Sequence, residues 1–295
     1  MTARARARLA IPPLPRLALV LLAAAVVHVL IGFAAQRMTG GYLDISVSRV
    51  AFELRDAMPF VLGAAIIVGW DRWPAGRPWL VAAAIAFAIA ATLDAGTELW
   101  LGLTWPPEPP ATAGASVSAD VLPVLATLAL PFGPLFAAVG IWRAAPAPGH
   151  SARRLAAIAS VAILAAVVMT VRLLLAIDAI RVTYALEVTE PFSGALLVAN
   201  FAFTVGAGLM AVLALAAVWA APRHYFVPEF LIAGGALTVA IASIAGEGGA
   251  LLASRQVIGI GWMDWIGWTG YAELLGLLGV ALGFLSARIS TPGES

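Results

Sequence analysis

The sequence predicts an all-α, polytopic membrane protein, a bundle of eight transmembrane helices, and three observations carry that prediction. Hydrophobic residues make up 62% of the 295 residues and charged residues 11%, where soluble domains carry about 25% charge. Apolar stretches of about 20 residues, the length that crosses a ~30 Å hydrocarbon core as a helix, recur at 17–36, 49–70, 78–101, 121–142, 155–177, 193–219, 229–252 and 265–287. Arginine and tryptophan fall at the ends of these stretches in a pattern that a membrane imposes.

The first span follows a basic segment, residues 1–16, with Arg4, Arg6, Arg8 and Arg16. Its apolar run is long for a signal-peptide core, and Phe33 occupies the −3 position of the nearest cleavage candidate, Ala35/Gln36. An uncleaved span is therefore expected, with the basic segment in the cytoplasm. In the second span the strongly apolar part, Met58 to Trp70, is too short to cross alone. Extension back to Arg49 completes it and gives it a polar outer third. The third span leads into Thr104-Trp105-Pro106-Pro107-Glu108-Pro109-Pro110 and a Gly/Ala/Ser stretch, which reads as an extended outer loop. The fourth carries Pro123, Pro131 and Pro134. Proline removes a backbone bond and clashes with the preceding turn, so a kink or a short unwound stretch is expected at Pro131 to Pro134, either as a gate or as a static bend. The eighth has Gly279 and Gly283 in a small-xxx-small arrangement that allows close helix contact. Residues 17–288 form the transmembrane domain and 289–295 a short tail.

Arginine sets the expected orientation. Arg4, Arg6, Arg8, Arg16, Arg72, Arg77, Arg143, Arg153, Arg154, Arg223 and Arg288 fall on one side, against Arg37, Arg49, Arg55, Arg172, Arg181 and Arg255 in the other half. All of the 16 acids except Asp71, Glu229 and Glu294 lie on the Arg-poor side. By the positive-inside rule both termini are cytoplasmic. Trp70, Trp73, Trp79, Trp142 and Trp219 then mark the inner interface, and Trp100, Trp105, Trp262, Trp265 and Trp268 the outer one. A multi-pass protein of the cell membrane is the expected placement.

Four helices followed by four suggests a 4+4 parallel repeat. Spans three and seven align at an offset of 150, matching Pro78 with Pro228 and Gly96 with Gly246, and Asp120 resembles Asp264 before spans four and eight. Any two Ala/Leu/Val-rich spans with Arg inside and acids outside align comparably, so chance similarity is the alternative.

Composition excludes much chemistry. The chain has no Cys and no Lys, hence no thiol nucleophile, iron–sulfur cluster, Schiff base or P-loop lysine. A net charge of +1 creates no field for nucleic acid. His28 is the lone histidine within a span and cannot supply paired haem ligands. No catalytic or metal-binding fingerprint is present, and no cofactor is implied.

What remains is a set of charges at matching depth. Asp94, Arg172, Asn200, Glu247 and Glu273 lie roughly 8–12 Å below the outer helix ends at ~1.5 Å per residue, and Arg49, Glu53 and Asp56 share a face of the second span. Glu53, Glu98, Asp178 and Arg181 are near enough to the interface to be ordinary solvated groups. Asp94, Arg172, Glu247 and Glu273 are deeper, and burial of ionised groups there is expensive. Three deep acids against one deep Arg leave a surplus carboxylate that carries a proton, binds a cation or faces water. Arg172 either pairs structurally or joins a polar pocket open to the outside.

Three classes of function follow: a proton- or cation-coupled transporter of a small solute; a non-catalytic membrane subunit or assembly partner, in contact with another membrane protein or a second copy; and an enzyme acting on a lipid or isoprenoid within the bilayer. The first suits the outer carboxylates, the helix-four break and the lack of a soluble domain. Single cysteines introduced at Ser118 and Gly149 are expected to label from outside and inside respectively with a membrane-impermeant maleimide. Labelling of Gly149→Cys from outside would reverse the orientation.

Overall fold

The computed structural model describes residues 15–40, 45–104, 124–145, 152–185, 192–221, 227–254 and 262–289. Expectations for the basic N-terminus, the Pro-rich loop, Pro123 and residues 290–295 lie outside the described residues, as do the side chains of Asn200 and Glu247. All the long elements are helices: α1 (Arg16–Gly40), α2 (Val47–Gly69), α3 (Arg77–Thr104), α4 (Phe132–Ala144), α5 (Ala152–Ala185), α6 (Phe192–Ala220), α7 (Val227–Ser254) and α8 (Trp262–Ile289). No strand occurs among the described residues. Two 3₁₀ turns, Trp70–Arg72 and Pro74–Gly76, join α2 to α3. The chain is a multi-pass helical membrane protein, and among the described residues seven helices are long and apolar enough to cross a bilayer.

The exception is α2. Its 23 residues span ~35 Å, but Arg49, Glu53, Arg55 and Asp56 interrupt its apolar run. Ser46 caps the helix, its hydroxyl accepting from the Arg49 amide at 3.4 Å, and Ala57 to Gly69 are mostly buried. Helix α5 continues to Ala185, past the expected end at 177, because neither Gly nor Pro stands between Leu175 and Pro191. Asp178 and Arg181, expected just beyond the helix, therefore belong to its last turns.

Six helices form a closed ring in the order α2, α3, α4, α6, α7, α8 and back to α2, each packed on the next. Helix α1 lies outside the ring on α2 and α3, and α5 lies outside it on α6 and α7. Each packing pair thus has a counterpart four helices further along the chain. On α1 the buried positions are Ala18, Leu21, Ala25, His28, Gly32 and Ala35, a stripe of 3–4 spacing that faces the ring. Val20, Val26, Val27 and Leu30 cover its other side and are exposed, as the lipid-facing surface of a membrane helix is. Helix α5 repeats the arrangement, burying Ala165, Val168 and Arg172 and exposing Ile163, Val167 and Leu174.

For reference, the upper face is the one where α1 ends and α2 begins, and the lower face the one where α2 ends and α3 begins. Antiparallel α7 and α8 pack backbone to backbone. A Cβ added at Gly279 would stand 3.2 Å from the Gly235 Cα, and one at Gly283 2.8 Å from the Pro228 carbonyl. With no aqueous hydrophobic effect between helices in lipid, such close approach supplies the dispersion contact that holds them.

Gly235 and Gly234 offer a matched test. A Cβ at Gly235 would run into the Gly276 carbonyl and come within 2.6 Å of the Val280 nitrogen, whereas one at Gly234 meets nothing within 4 Å. Gly235→Leu is expected to destabilise the bundle by about 1–3 kcal/mol through overpacking, and Gly234→Ala to be neutral or slightly stabilising, as read by thermal unfolding in detergent.

Candidate functional site: a charged cavity inside the helix ring

The ring encloses a cavity of about 690 Å³. Its upper wall holds Arg55 and Asp56 from α2, Asp94 from α3, Arg172 from α5 and Glu273 from α8, with Ser243 and Thr269 between them. Its lower wall is apolar, built from Leu62, Phe87, Pro134, Met210, Val239 and Leu277. On α2, α3, α7 and α8 alike, the polar lining residue lies nearer the upper end of the helix than the apolar one.

Arg55 is the hub of the upper wall. Its guanidinium donates from Nε to Asp56 Oδ1 at 2.8 Å and from Nη1 to Glu273 Oε2 at 3.3 Å, joining α2 to α8. The Phe52 ring lies 5.0 Å from the guanidinium carbon, a cation–π distance. Arg172 is 2% exposed although α5 lies outside the ring, and Glu273 stands within electrostatic reach of both arginines. Across the cavity, His28 Nε2 lies 3.2 Å from Asp94 Oδ2. The imidazole is buried, whereas the Asp94 side chain keeps 44% of its surface accessible. His28, the lone histidine within a span, therefore reaches the carboxylate that lines the cavity.

Of the residues singled out in the sequence, Asp56, Asp94, Arg172 and Glu273 line this space, and Glu53 does not. Glu53 is 1% exposed, ion-paired with Arg49 and set against Gly32 of α1. It is not the solvated interfacial group that one reading of the sequence expected. At ~100° per residue Glu53 and Asp56 differ by about 60° around α2, enough to turn one toward α1 and the other into the cavity. A Cβ added at position 32 would overlap the Glu53 carboxylate, which would have to shift to make room. Sequence reasoning passed over Arg55. The available signal was its position beside Asp56 within a helix that must bury its charges.

The fourth span is broken where its prolines fall. A helical segment at 124–129 ends in a turn at Leu130–Pro131, and α4 resumes at Phe132. Bonds from Leu130 N to the Ala126 carbonyl and from Leu135 N to the Pro131 carbonyl, both 3.3 Å, flank the break. Leu130 and Pro134 belong to the cavity wall.

Below the floor, each ring helix contributes a large, fully buried side chain: Ile66, Leu80, Ile141, Leu213, Ile232 and Phe284. Under this layer, Arg72 donates to Glu229 through Nε at 2.7 Å and Nη2 at 3.1 Å, and Glu229 is 2% exposed. Trp73 meets Phe284 edge-on at 5.4 Å. These contacts tie the lower end of α2 to α7 and α8.

Among the described residues no group of three or more His, Cys, Asp or Glu is arranged to hold a metal ion. A ring of membrane-length helices around a charged cavity defines the class, a multi-pass membrane protein with a polar internal site. No protein-family model matches the chain, and neither does any curated protein or solved structure.

The Arg55–Glu273 bridge is expected to couple α2 and α8 energetically. Arg55→Gln leaves Glu273 without its partner, Glu273→Gln leaves Arg55 paired with Asp56 alone, and the double variant removes the bridge itself. A double-mutant cycle on thermal stability is expected to give a coupling of about 1–2 kcal/mol; strict additivity would mean that the bridge is solvated.

Proposed function

We propose that this protein is a transporter that moves a small solute through the ring, coupled to a proton or cation, in an eight-span bundle with both termini in the cytoplasm. The observation that carries this reading is the contrast between the two ends of the cavity. Accessible charges line its upper end, while six buried side chains and the Arg72–Glu229 pair block its lower end. With the upper face outside, as the arginine distribution predicts, that is the shape of an outward-facing state with a closed inner gate. The site residues in this reading are Asp56, Asp94, Arg172 and Glu273, joined by Arg55, with the break at Pro131 and Pro134 as a flexible wall. Asn200 and Glu247, on α6 and α7, belong to it by depth.

Surplus negative charge supports the coupling. Among the described residues around His28 and the upper wall, Glu53, Asp56, Asp94, Glu98 and Glu273 outnumber Arg49, Arg55 and Arg172. Charge that the protein does not balance is available to a proton or a cation.

Gating needs two bodies that move, and the packing pattern offers them. Residues from α1 to α4 and from α5 to α8 have matching neighbours, and α1 overlays α5 at an offset of 144 that pairs His28 with Arg172 and Arg37 with Arg181. Both His28 and Arg172 are buried basic side chains on the helix outside the ring. A parallel 4+4 repeat about an axis through the cavity accounts for this correspondence. Arg55–Glu273 above and Arg72–Glu229 below both link one half to the other, so the two pairs can open in alternation.

The test uses the absence of native cysteines. Leu277→Cys, deep in the cavity wall, is expected to react with an impermeant maleimide from outside. Adding Glu229→Gln, which weakens the lower pair, is expected to raise labelling from inside about fivefold or more while lowering it from outside, because one equilibrium governs both. Labelling from one side only, unmoved by Glu229→Gln, would leave a static pocket and favour the membrane-subunit reading.

A further inference from the structure

The graded walls of the cavity point to the chemistry of what enters it, on the reading that the cavity is a solute site. A volume of about 690 Å³ lies in the range of roughly 300–1,000 Å³ that holds drug-sized molecules, far more than an inorganic ion needs. The walls from α2, α3 and α8 run from polar to apolar in the same direction: Asp56 above Leu62, Asp94 above Phe87, Glu273 above Leu277. A ligand that fills this space has a charged or polar end at the upper wall and an apolar body below.

The sign of the charged end follows from how the upper wall is paired. Arg55 is committed to two carboxylates, Asp56 and Glu273. Asp94 stands 3.2 Å from the His28 Nε2. The imidazole is fully buried while the carboxylate keeps 44% of its surface accessible, so the member of this pair that the cavity reaches is Asp94. Asp94 is thus an accessible carboxylate held in position by His28. Phe87 and Phe203 on the wall present aromatic surface that favours a cation over an anion.

We propose that the cavity binds lipophilic organic cations, with the cationic centre against Asp94 and the apolar body on the Phe87, Met210 and Leu277 wall. The probe is tetraphenylphosphonium, a permanent lipophilic cation, and its control is tetraphenylborate, an anion of nearly the same shape. Binding to the purified full-length protein in detergent is measured by equilibrium dialysis against protein-free micelles. Saturable binding of the cation near one per chain is expected, with little or none of the anion. Asp94→Asn is expected to weaken it about tenfold or more and Asp94→Glu far less.

Gly206 provides a second variant that does not touch the charge. It lines the cavity, and a Cβ added there has its nearest neighbour, Leu130, at 3.9 Å. Gly206→Phe fills the space without displacing the wall and is expected to abolish binding while the protein still unfolds cooperatively. Equal binding of tetraphenylborate, no saturable binding of tetraphenylphosphonium, or full affinity in a folded Asp94→Asn or Gly206→Phe protein would each overturn the proposal. Cation binding that depends on Asp94 without any shift in Leu277→Cys labelling would keep the ligand class and reject transport. A labelling shift without cation binding would do the reverse.

Discussion

An ionised side chain inside the hydrocarbon slab must meet a counter-charge, a hydrogen bond or water, and α2 carries Arg49, Glu53, Arg55 and Asp56 within its first turns. Much of the upper bundle is arranged around that requirement. Helix α1 supplies Gly32 as the notch for Glu53, α8 supplies Glu273 to Arg55, and the rest of the α2 charge faces a cavity rather than lipid. A helix that fails a composition test for a membrane span is thereby accommodated among seven that pass it. Its neighbours provide the polar surroundings that the bilayer does not.

The same constraint explains why the two ends of the ring differ. At the upper end the charges lining the cavity are spread over four helices, and all but Arg172 keep part of their surface accessible, Asp94 most of all. At the lower end one acid, Glu229, is matched by a bidentate arginine and enclosed by large apolar side chains. A spread of partly paired charge maintains a polar space, whereas a single saturated pair closes one. Glycine lets backbones approach closely at Gly76 with Gly140, at the lower end, and at Gly235 with Gly276, beside the cavity's lower wall.

The peripheral helices have a related part. Neither α1 nor α5 belongs to the ring, yet each sends one basic side chain inward, His28 toward Asp94 and Arg172 into the cavity wall. Each packs on the ring through a buried stripe that contains this basic residue, His28 on α1 and Arg172 on α5, and exposes apolar side chains such as Val27 and Ile163 on another side.

The sequence by itself determined the helical, multi-pass class, because hydrocarbon thickness and the cost of unsatisfied backbone groups leave little choice once long apolar runs are present. It also singled out Asp94, Arg172 and Glu273 by depth and Asp56 by its helix face. Only the tertiary structure decided which of these side chains share a space. Depth along a helix is local, but the direction a side chain faces depends on the rotation of each helix about its axis, and that is set by packing. Hence Glu53, three residues from Asp56, turns to α1, while Arg55, which depth arguments passed over, becomes the bridge between α2 and α8. The Arg72–Glu229 pair was illegible for the same reason: its partners are separated by 157 positions, and nothing in either neighbourhood names the other until the ring closes.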